Sequence, residues 1–254
     1  MRSYAAPRNA RKGFFREREA GEATRDRRQS DACGEHPRRA RRGERLMSDE
    51  SALAPQGLYA IILAAGASSR FGSPKQLARV ADRPLLSAVI GRVVEIVGQG
   101  VLVVLGANAA QLTPMLQHSP ASVVINRGWR EGLASSIRAG IARLPASCTG
   151  AMLVLADQAA VTAEDLGRLA GAWRRQPHSL VAAQYDATVG VPAIFPSFLF
   201  GDLSQLKGDV GARALLKRHA ERVVRVPMES AAFDLDTPED FLALEVRRKA
   251  WPES

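Results

Sequence analysis

Five short apolar runs, separated by stretches patterned at helical period, limit this chain to one kind of architecture. The runs cover 58–63, 101–105, 122–125, 151–155 and 179–183. They are near-continuous in apolar side chains rather than alternating, the pattern of strands buried on both faces, as parallel sheets require. Between them, Leu133, Ile137, Ile141 and Leu144 share one helical face. Leu166, Leu169, Ala170 and Trp173 share another, at the i, i+3, i+4, i+7 spacing. Thr162 stands as an N-cap with Asp165 three residues on, and Thr237-Pro238-Glu239-Asp240 supplies an N-cap, a first-turn proline and two acids. Strands alternating with helices predict an α/β, Rossmann-like three-layer sandwich on a mainly parallel mixed sheet. In such sheets ligands bind beyond the carboxyl ends of the strands, so the turns there are the places to examine.

Charge narrows the function classes. The 254 residues carry a net charge of +9, but residues 1–46 alone hold 14 Lys+Arg against 7 Asp+Glu. The other 208 residues hold 21 basic and 19 acidic groups, so the basic character belongs to an arm and not to the body. Apart from Phe14-Phe15 the arm lacks apolar periodicity and cannot offset its ordering entropy. It reads as a disordered basic extension, or as upstream sequence ahead of a true start at Met47. Its charges are not interleaved with aromatics as a nucleic-acid platform requires, so no nucleic-acid partner is expected. The longest apolar runs fall far short of the roughly 18 residues of a membrane span, so no membrane association is expected either. With Cys33 and Cys148 alone, a disulfide framework is excluded, and a reducing, cytoplasmic setting is expected. The folded body is expected over 57–250.

The first strand runs into Leu63-Ala64-Ala65-Gly66-Ala67-Ser68-Ser69-Arg70-Phe71-Gly72-Ser73-Pro74-Lys75. Small residues there let the backbone approach a ligand, and their N–H groups can converge on phosphate oxygens. Arg70 and Lys75 add charge where a triphosphate carries it. The turn is neither a Walker loop nor a G-x-G-x-x-G dinucleotide fingerprint. Asp157 follows the apolar strand Met152-Leu153-Val154-Leu155, well placed to hold Mg²⁺ on a triphosphate. Asp234 and Asp236, read as flanking a last strand at alternate positions, complete the metal site, orient a second substrate or cap the following helix. Asn126 and the Gly132–Ser136 turn precede a helix start, where polar groups meet a base, ribose or phosphate. No zinc spacing is present, since His36, His118, His178 and His219 are scattered. No G-x-S-x-G elbow is present.

The 63–75 turn resembles L-A-A-G-x-S-x-R-x-G-x-x-K of the MobA-like nucleotidyltransferases, with every fixed position met. The resemblance covers 58–245 and is most similar to the molybdenum cofactor cytidylyltransferases. Asn126, Trp129, Gly132, Ser135, Ser136 and Ile137 follow the family's N-x-x-W-x-x-G-L-x-S-S-I segment. Asp157-Gln158 follows D-Q-P-x-V, with Ala159 in place of the proline. Gly208-Asp209-Val210-Gly211-Ala212-Arg213 follows G-D-x-G-A-R, and Asp234–Asp240 follows D-x-D-T-P-E-D. Gly190-Val191-Pro192 stands where many members have Gly-His-Pro.

This resemblance implies a fold of the nucleotide-diphospho-sugar transferase type and a Mg²⁺-dependent transfer of CMP from CTP to molybdenum-molybdopterin, with release of pyrophosphate. It implies Lys75, Arg70 and Asp157 as catalytic residues. Leu63, Ala64, Ala65, Gly66, Ser68, Asn126, Gly132, Ser135 and Ser136 would bind nucleotide. Asp157 and Asp236 would hold the metal, and Asp209, Arg213 and Asp234 the acceptor. A molybdenum hydroxylase, or its maturation chaperone, would be the protein partner. Two alternatives remain: the same chemistry on a sugar or polyol phosphate, and a non-catalytic carrier of the finished cofactor.

Overall fold

The computed structural model describes residues 57–80, 82–237 and 239–243. The expectations for the 1–46 arm, the start at Met47, Pro238 and residues 244–250 lie outside the described residues.

The expected alternation is present. Strand β1 (Leu58–Ala64) leads through a short antiparallel pair, β2 (Arg79–Val80) and β3 (Arg83–Pro84), to helix α1 (Leu85–Val97). Next come β4 (Val101–Leu105), α2 (Ala109–Leu112), β5 (Ser122–Ile125), α3 (Leu133–Ile141), β6 (Gly150–Leu155) and α4 (Ala163–Arg175). Last are β7 (Leu180–Tyr185), β8 (Thr188–Pro196), α5 (Phe200–Ser204), α6 (Arg213–Arg218) and β9 (Val223–Pro227). Seven strands form one sheet in the order β5-β4-β1-β6-β8-β7-β9. From β5 to β6 they run parallel, β8 is antiparallel to both β6 and β7, and β9 is parallel to β7. The chain winds outward from β1 to β4 and β5, then returns through α3 to β6 on the other side of β1. That reversal opens a crevice at the carboxyl ends of β1 and β6.

Both faces of the sheet are covered, which explains the near-continuous apolar strands. On one face Leu86, Val89 and Val93 of α1 and Leu166, Leu169 and Trp173 of α4 pack on Ile62, Met152 and Val154. On the other, Ile137 and Ile141 of α3 and Leu215 and Leu216 of α6 pack on Ile61, Val104 and Leu153. Thr162 caps α4 as expected: its side chain accepts from Asp165 N, and Asp165 accepts from Thr162 N.

Three expectations change. The strand expected over 179–183 begins and ends later, at Leu180 and Tyr185. Strands β8 and β9 are additional. The two prolines and the glycine of β8 mask its strand character, and its pairing with β7 is irregular between Ala182 and Ala183. Pro192, opposite that step, has no N–H for a ladder. Finally, no strand lies between Asp234 and Asp236. The last strand among the described residues ends at Pro227, a 3₁₀ turn spans Glu229–Ala232, and 233–236 is irregular backbone held to the turn after β6 by Leu235 N donating to Asp157 O at 3.0 Å.

Candidate active site

The turn after β1 is built around Gln76, a residue that no local motif marks. Gln76, 2% exposed, donates through Nε2 to Ala64 O at 3.3 Å and Gly66 O at 3.4 Å. Its Oε1 accepts from Ser68 Oγ at 3.3 Å, and the same hydroxyl accepts from Lys75 N at 3.2 Å. These bonds hold Ser68 at φ +55°, a left-handed backbone that only an over-determined loop retains in a non-glycine residue. The result is a cavity of about 160 Å³ lined by Leu63, Ala64, Gly66, Ser68, Arg70, Lys75, Asp157 and Asp236, among others. Eight of the expected site residues thus meet in one place. Ala65 lies beneath them, 7% exposed, with its carbonyl accepting from Ala107 N at 3.1 Å. A wider groove of about 750 Å³ on α1, α4 and β9 contains none of Lys75, Asp157 and Asp236.

Charge converges at the mouth of β6. Lys75 Nζ donates to Asp157 Oδ2 at 2.7 Å, to Leu235 O at 2.8 Å and to Asp236 Oδ1 at 3.1 Å. Arg70 Nη2 lies 3.0 Å from Asp236 Oδ2. Burial works against the charge on Lys75, but the Asp157 and Asp236 carboxylates outweigh it and hold its pKa above the ordinary lysine value. Asp234 keeps an open surface yet is crowded by protein atoms. This loss of hydration, followed by the nearby negative charges of Asp157 and Asp236, pushes its pKa up to about 6 against the pull of Lys75 and Arg213. Three carboxylates thus share this edge with Lys75, and Arg70 pairs with Asp236.

Asp157 Oδ1 is buried without a hydrogen-bond partner. Together with Asp236 it offers a hard divalent cation the one or two carboxylates that Mg²⁺ uses when substrate phosphates and water supply its other ligands. Among the described residues no group of three His, Cys, Asp or Glu side chains could hold a metal alone. The donor set therefore fits a metal brought in with a phosphate, not a closed structural site.

The second constellation braces itself. Asn126 Nδ2 donates to Ser135 Oγ at 2.8 Å and Ser136 Oγ at 3.0 Å, while its Oδ1 accepts from Gly128 N at 2.9 Å. Ser135 Oγ donates to Gly132 O at 2.8 Å. All three side chains are buried, so they fix the entry to α3, and they are already partnered within the protein. Gly132 has φ +111°, and a Cβ there would lie 2.3 Å from Asp209 Oδ1 and 2.6 Å from the Gly208 backbone. The 208–213 turn thus seats directly on the α3 entry, with Ala134 N donating to Gly208 O at 3.1 Å. Arg213 Nη2 donates to Tyr185 OH at 3.2 Å, a pairing that no sequence spacing signals. Gln158, next to Asp157, is 2% exposed and donates to Val191 O at 2.9 Å and Ala231 O at 3.1 Å. It ties β8 and the Glu229–Ala232 turn to the end of β6.

A doubly wound sheet with a small-residue turn after its first strand and paired cations and carboxylates beside it defines a nucleotide-handling α/β transferase. The chain belongs to the MobA-like NTP transferase family, whose domain model matches residues 60–223. It is a nucleotidyltransferase-type enzyme. It is 29% identical over 195 residues to nicotine blue oxidoreductase of Paenarthrobacter nicotinovorans, covering 72% of this chain and 94% of that protein. Among solved structures it is similar to an Rv0371c homologue from Mycobacterium sp. strain JC1, with 25% identity, a TM-score of 0.66 and coverage of 76% of this chain and 97% of that one. It is also similar to Rv0371c of Mycobacterium tuberculosis H37Rv in complex with manganese, with 26% identity, a TM-score of 0.59 and coverage of 74% and 97%. Among the described residues no helix is long and apolar enough to cross a membrane.

Proposed function

We propose that this protein transfers CMP from CTP to the terminal phosphate of a molybdopterin-type acceptor and releases pyrophosphate. The observation that carries this reading is the convergence of Lys75 and Arg70 on Asp157 and Asp236 at the edge of the small-residue cradle. Backbone N–H groups of 64–68 would receive the β- and γ-phosphates, and Lys75 and Arg70 would neutralise charge as pyrophosphate departs. Asp157 and Asp236 would hold Mg²⁺, which when bound supplies positive charge on the triphosphate. An acceptor phosphate oxygen attacks the α-phosphorus in line, and the bond from that phosphorus to the bridging oxygen of pyrophosphate breaks. A phosphate nucleophile is already ionised at neutral pH, so no general base is required, and positioning and electrostatics lower the barrier.

Arg213, oriented by Tyr185, would receive the acceptor's phosphate, while Asp209 at the α3 entry and Asp234 would accept hydrogen bonds from the acceptor's uncharged N–H and O–H groups. Residues 57–250 would be the catalytic unit and 1–46 dispensable, and the setting would be cytoplasmic. The product would pass to a molybdenum hydroxylase or its maturation chaperone. The manganese in the Rv0371c structure, a relative at 26% identity, favours a divalent-cation requirement.

The test is pyrophosphate release from CTP with molybdenum-molybdopterin, a sugar phosphate or a polyol phosphate as acceptor. Release with the pterin alone supports the reading, and release with a sugar phosphate replaces the acceptor. Binding of the dinucleotide product without any release would make the protein a carrier. The similarity to nicotine blue oxidoreductase raises a redox reading, which needs an electron donor. Pyrophosphate release with no reductant present separates the two.

A further inference from the structure

An ammonium has three protons to donate. Those of Lys75 all have acceptors inside the protein: Asp157 Oδ2 at 2.7 Å, Leu235 O at 2.8 Å and Asp236 Oδ1 at 3.1 Å. In this conformation Lys75 has nothing left for a phosphate. Its side chain is 13% exposed, against 73% for Arg70, which reaches the other oxygen of Asp236 from outside. An exposed lysine–carboxylate pair is loose. Here the ammonium is fixed at three points, and one of them is a backbone carbonyl that cannot rotate away.

We propose that Lys75 is the resident cation of the Asp157–Asp236 pair, and that a divalent metal must displace it, which releases Lys75 to the triphosphate. The inference rests on the reading of these carboxylates as metal-holding. It adds that metal and nucleotide are coupled through this side chain as well as through any metal–phosphate bond. By linkage, whatever draws Lys75 off the carboxylates favours the metal, and the metal favours what Lys75 then binds. Asp157 Oδ1, buried and unpartnered, is an acceptor that Lys75 leaves unsatisfied and that a metal taking the place of the ammonium would satisfy. A chain whose carboxylates are free of Lys75 about one-tenth of the time shows a metal affinity about tenfold below its intrinsic value.

The experiment is a Mn²⁺ titration of the nucleotide-free protein, read from the electron paramagnetic resonance signal of unbound Mn²⁺. Lys75→Met, with Lys75→Gln as a second variant and circular dichroism melts as fold controls, is expected to bind Mn²⁺ about tenfold more tightly than the parent. Arg70→Met removes the same charge from Asp236 without touching Asp157, and its gain is expected to be clearly smaller. Asp157→Asn is expected to weaken binding. After subtraction of the Mn²⁺ held by CTP alone, measured without protein, added CTP is expected to tighten Mn²⁺ binding more in the parent than in Lys75→Met, and an equal gain in both would overturn the coupling through Lys75. If Lys75→Met and Lys75→Gln bind Mn²⁺ no more tightly than the parent, or only as Arg70→Met does, the displacement is overturned while the metal site stands. If Asp157→Asn binds as the parent does, the metal site itself is misassigned and the displacement falls with it.

Discussion

Lys75 and Asp157 lie 82 residues apart in the chain and meet at 2.7 Å, one from the turn after β1 and the other from the end of β6. Adjacent parallel strands produce this meeting, since the register pairs Leu63 with Leu155 and sends both following turns to one edge of the sheet. Asp157→Asn keeps the shape and removes the charge. Turnover is expected to fall by roughly 10²–10³ while the melting temperature changes little. Pyrophosphate release and a thermal melt on the same preparation check both parts. Near-normal turnover would move the metal-holding role to Asp236 or Asp234.

Gln76 offers a different signature. Replacing it with Leu takes one donor from the buried Ala64 carbonyl and one from the solvent-reachable Gly66 carbonyl, and the first leaves a buried acceptor unsatisfied, a loss of about 1–3 kcal/mol. Because the same amide holds Ser68 and the cradle in place, the KM for nucleotide is expected to rise more than kcat falls. Urea unfolding and steady-state kinetics measure the two. An unchanged KM would show that the cradle holds its form without this side chain.

The sequence made the strands and charged motifs legible because their signals are local: an apolar run, a cap, a run of small residues before Arg70 and Lys75. It left out what depends on distant partners. Gln76 and Gln158 look like ordinary polar residues until the fold buries them, and Tyr185 meets Arg213 only after β7 and α6 come together. The placement of Asp234 and Asp236 on a strand failed for a related reason. Alternation at Phe233-Asp234-Leu235-Asp236 imitates a half-buried strand. Leu235 is in fact buried, but by docking irregular backbone against Asp157 and not by entering a sheet. Asn126, Ser135 and Ser136 were legible as a group through their helix-start setting, although the structure partners their side chains with one another.

Thr162→Ala separates stability from chemistry. The Thr162–Asp165 capping box satisfies donors at the first turn of α4, and loss of the hydroxyl is expected to cost about 0.5–2 kcal/mol. Turnover at 25 °C should match the parent. A fall in kcat without a change in unfolding free energy would show that the α4 entry communicates with the Asp157 turn.

Cys148 is 5% exposed, with its thiol donating to Gly150 O at 3.3 Å. Burial pushes the thiol pKa up to about 11, a shift that the backbone hydrogen bonds only partly oppose. At pH 8 about one thiol in a thousand would be ionised, so in a Cys33→Ser chain Cys148 should resist alkylation. The rate should keep climbing from pH 7 to 9 with no plateau and become fast in urea. Rapid labelling at pH 7 in the folded protein would show that the β6 entry opens.

Nucleotide choice turns on one methyl group. Ala65 is 7% exposed and lies against the turn after β4, where a Cβ on Gly106 would come within 2.8 Å of Ala65 Cβ and 2.7 Å of Trp129 Cβ. Ala65, Gly106 and Trp129 are therefore packed closely enough that space added at one is felt at the others. The resemblance of Leu63-Ala64-Ala65-Gly66 to the family's cytidylyl enzymes puts an alanine at 65. On the proposed reading, the Cβ at 65 would act from beneath the cradle by setting how far the Gly106 turn and Trp129 stand from the base, leaving room that a single-ring pyrimidine tolerates better than a purine. Shape differences of this size discriminate by about 1–3 kcal/mol, so CTP is expected to be preferred over GTP by roughly 10–200-fold and not exclusively. Ala65→Gly should narrow that ratio by raising GTP use, at some cost in stability from the lost packing. Pyrophosphate release compared for CTP, GTP and ATP in both proteins decides it. Equal use of GTP by the parent would remove the cytidylyl assignment and leave the broader transferase. A parent selective for CTP whose Ala65→Gly variant gains no GTP activity would keep the assignment and refute the steric account.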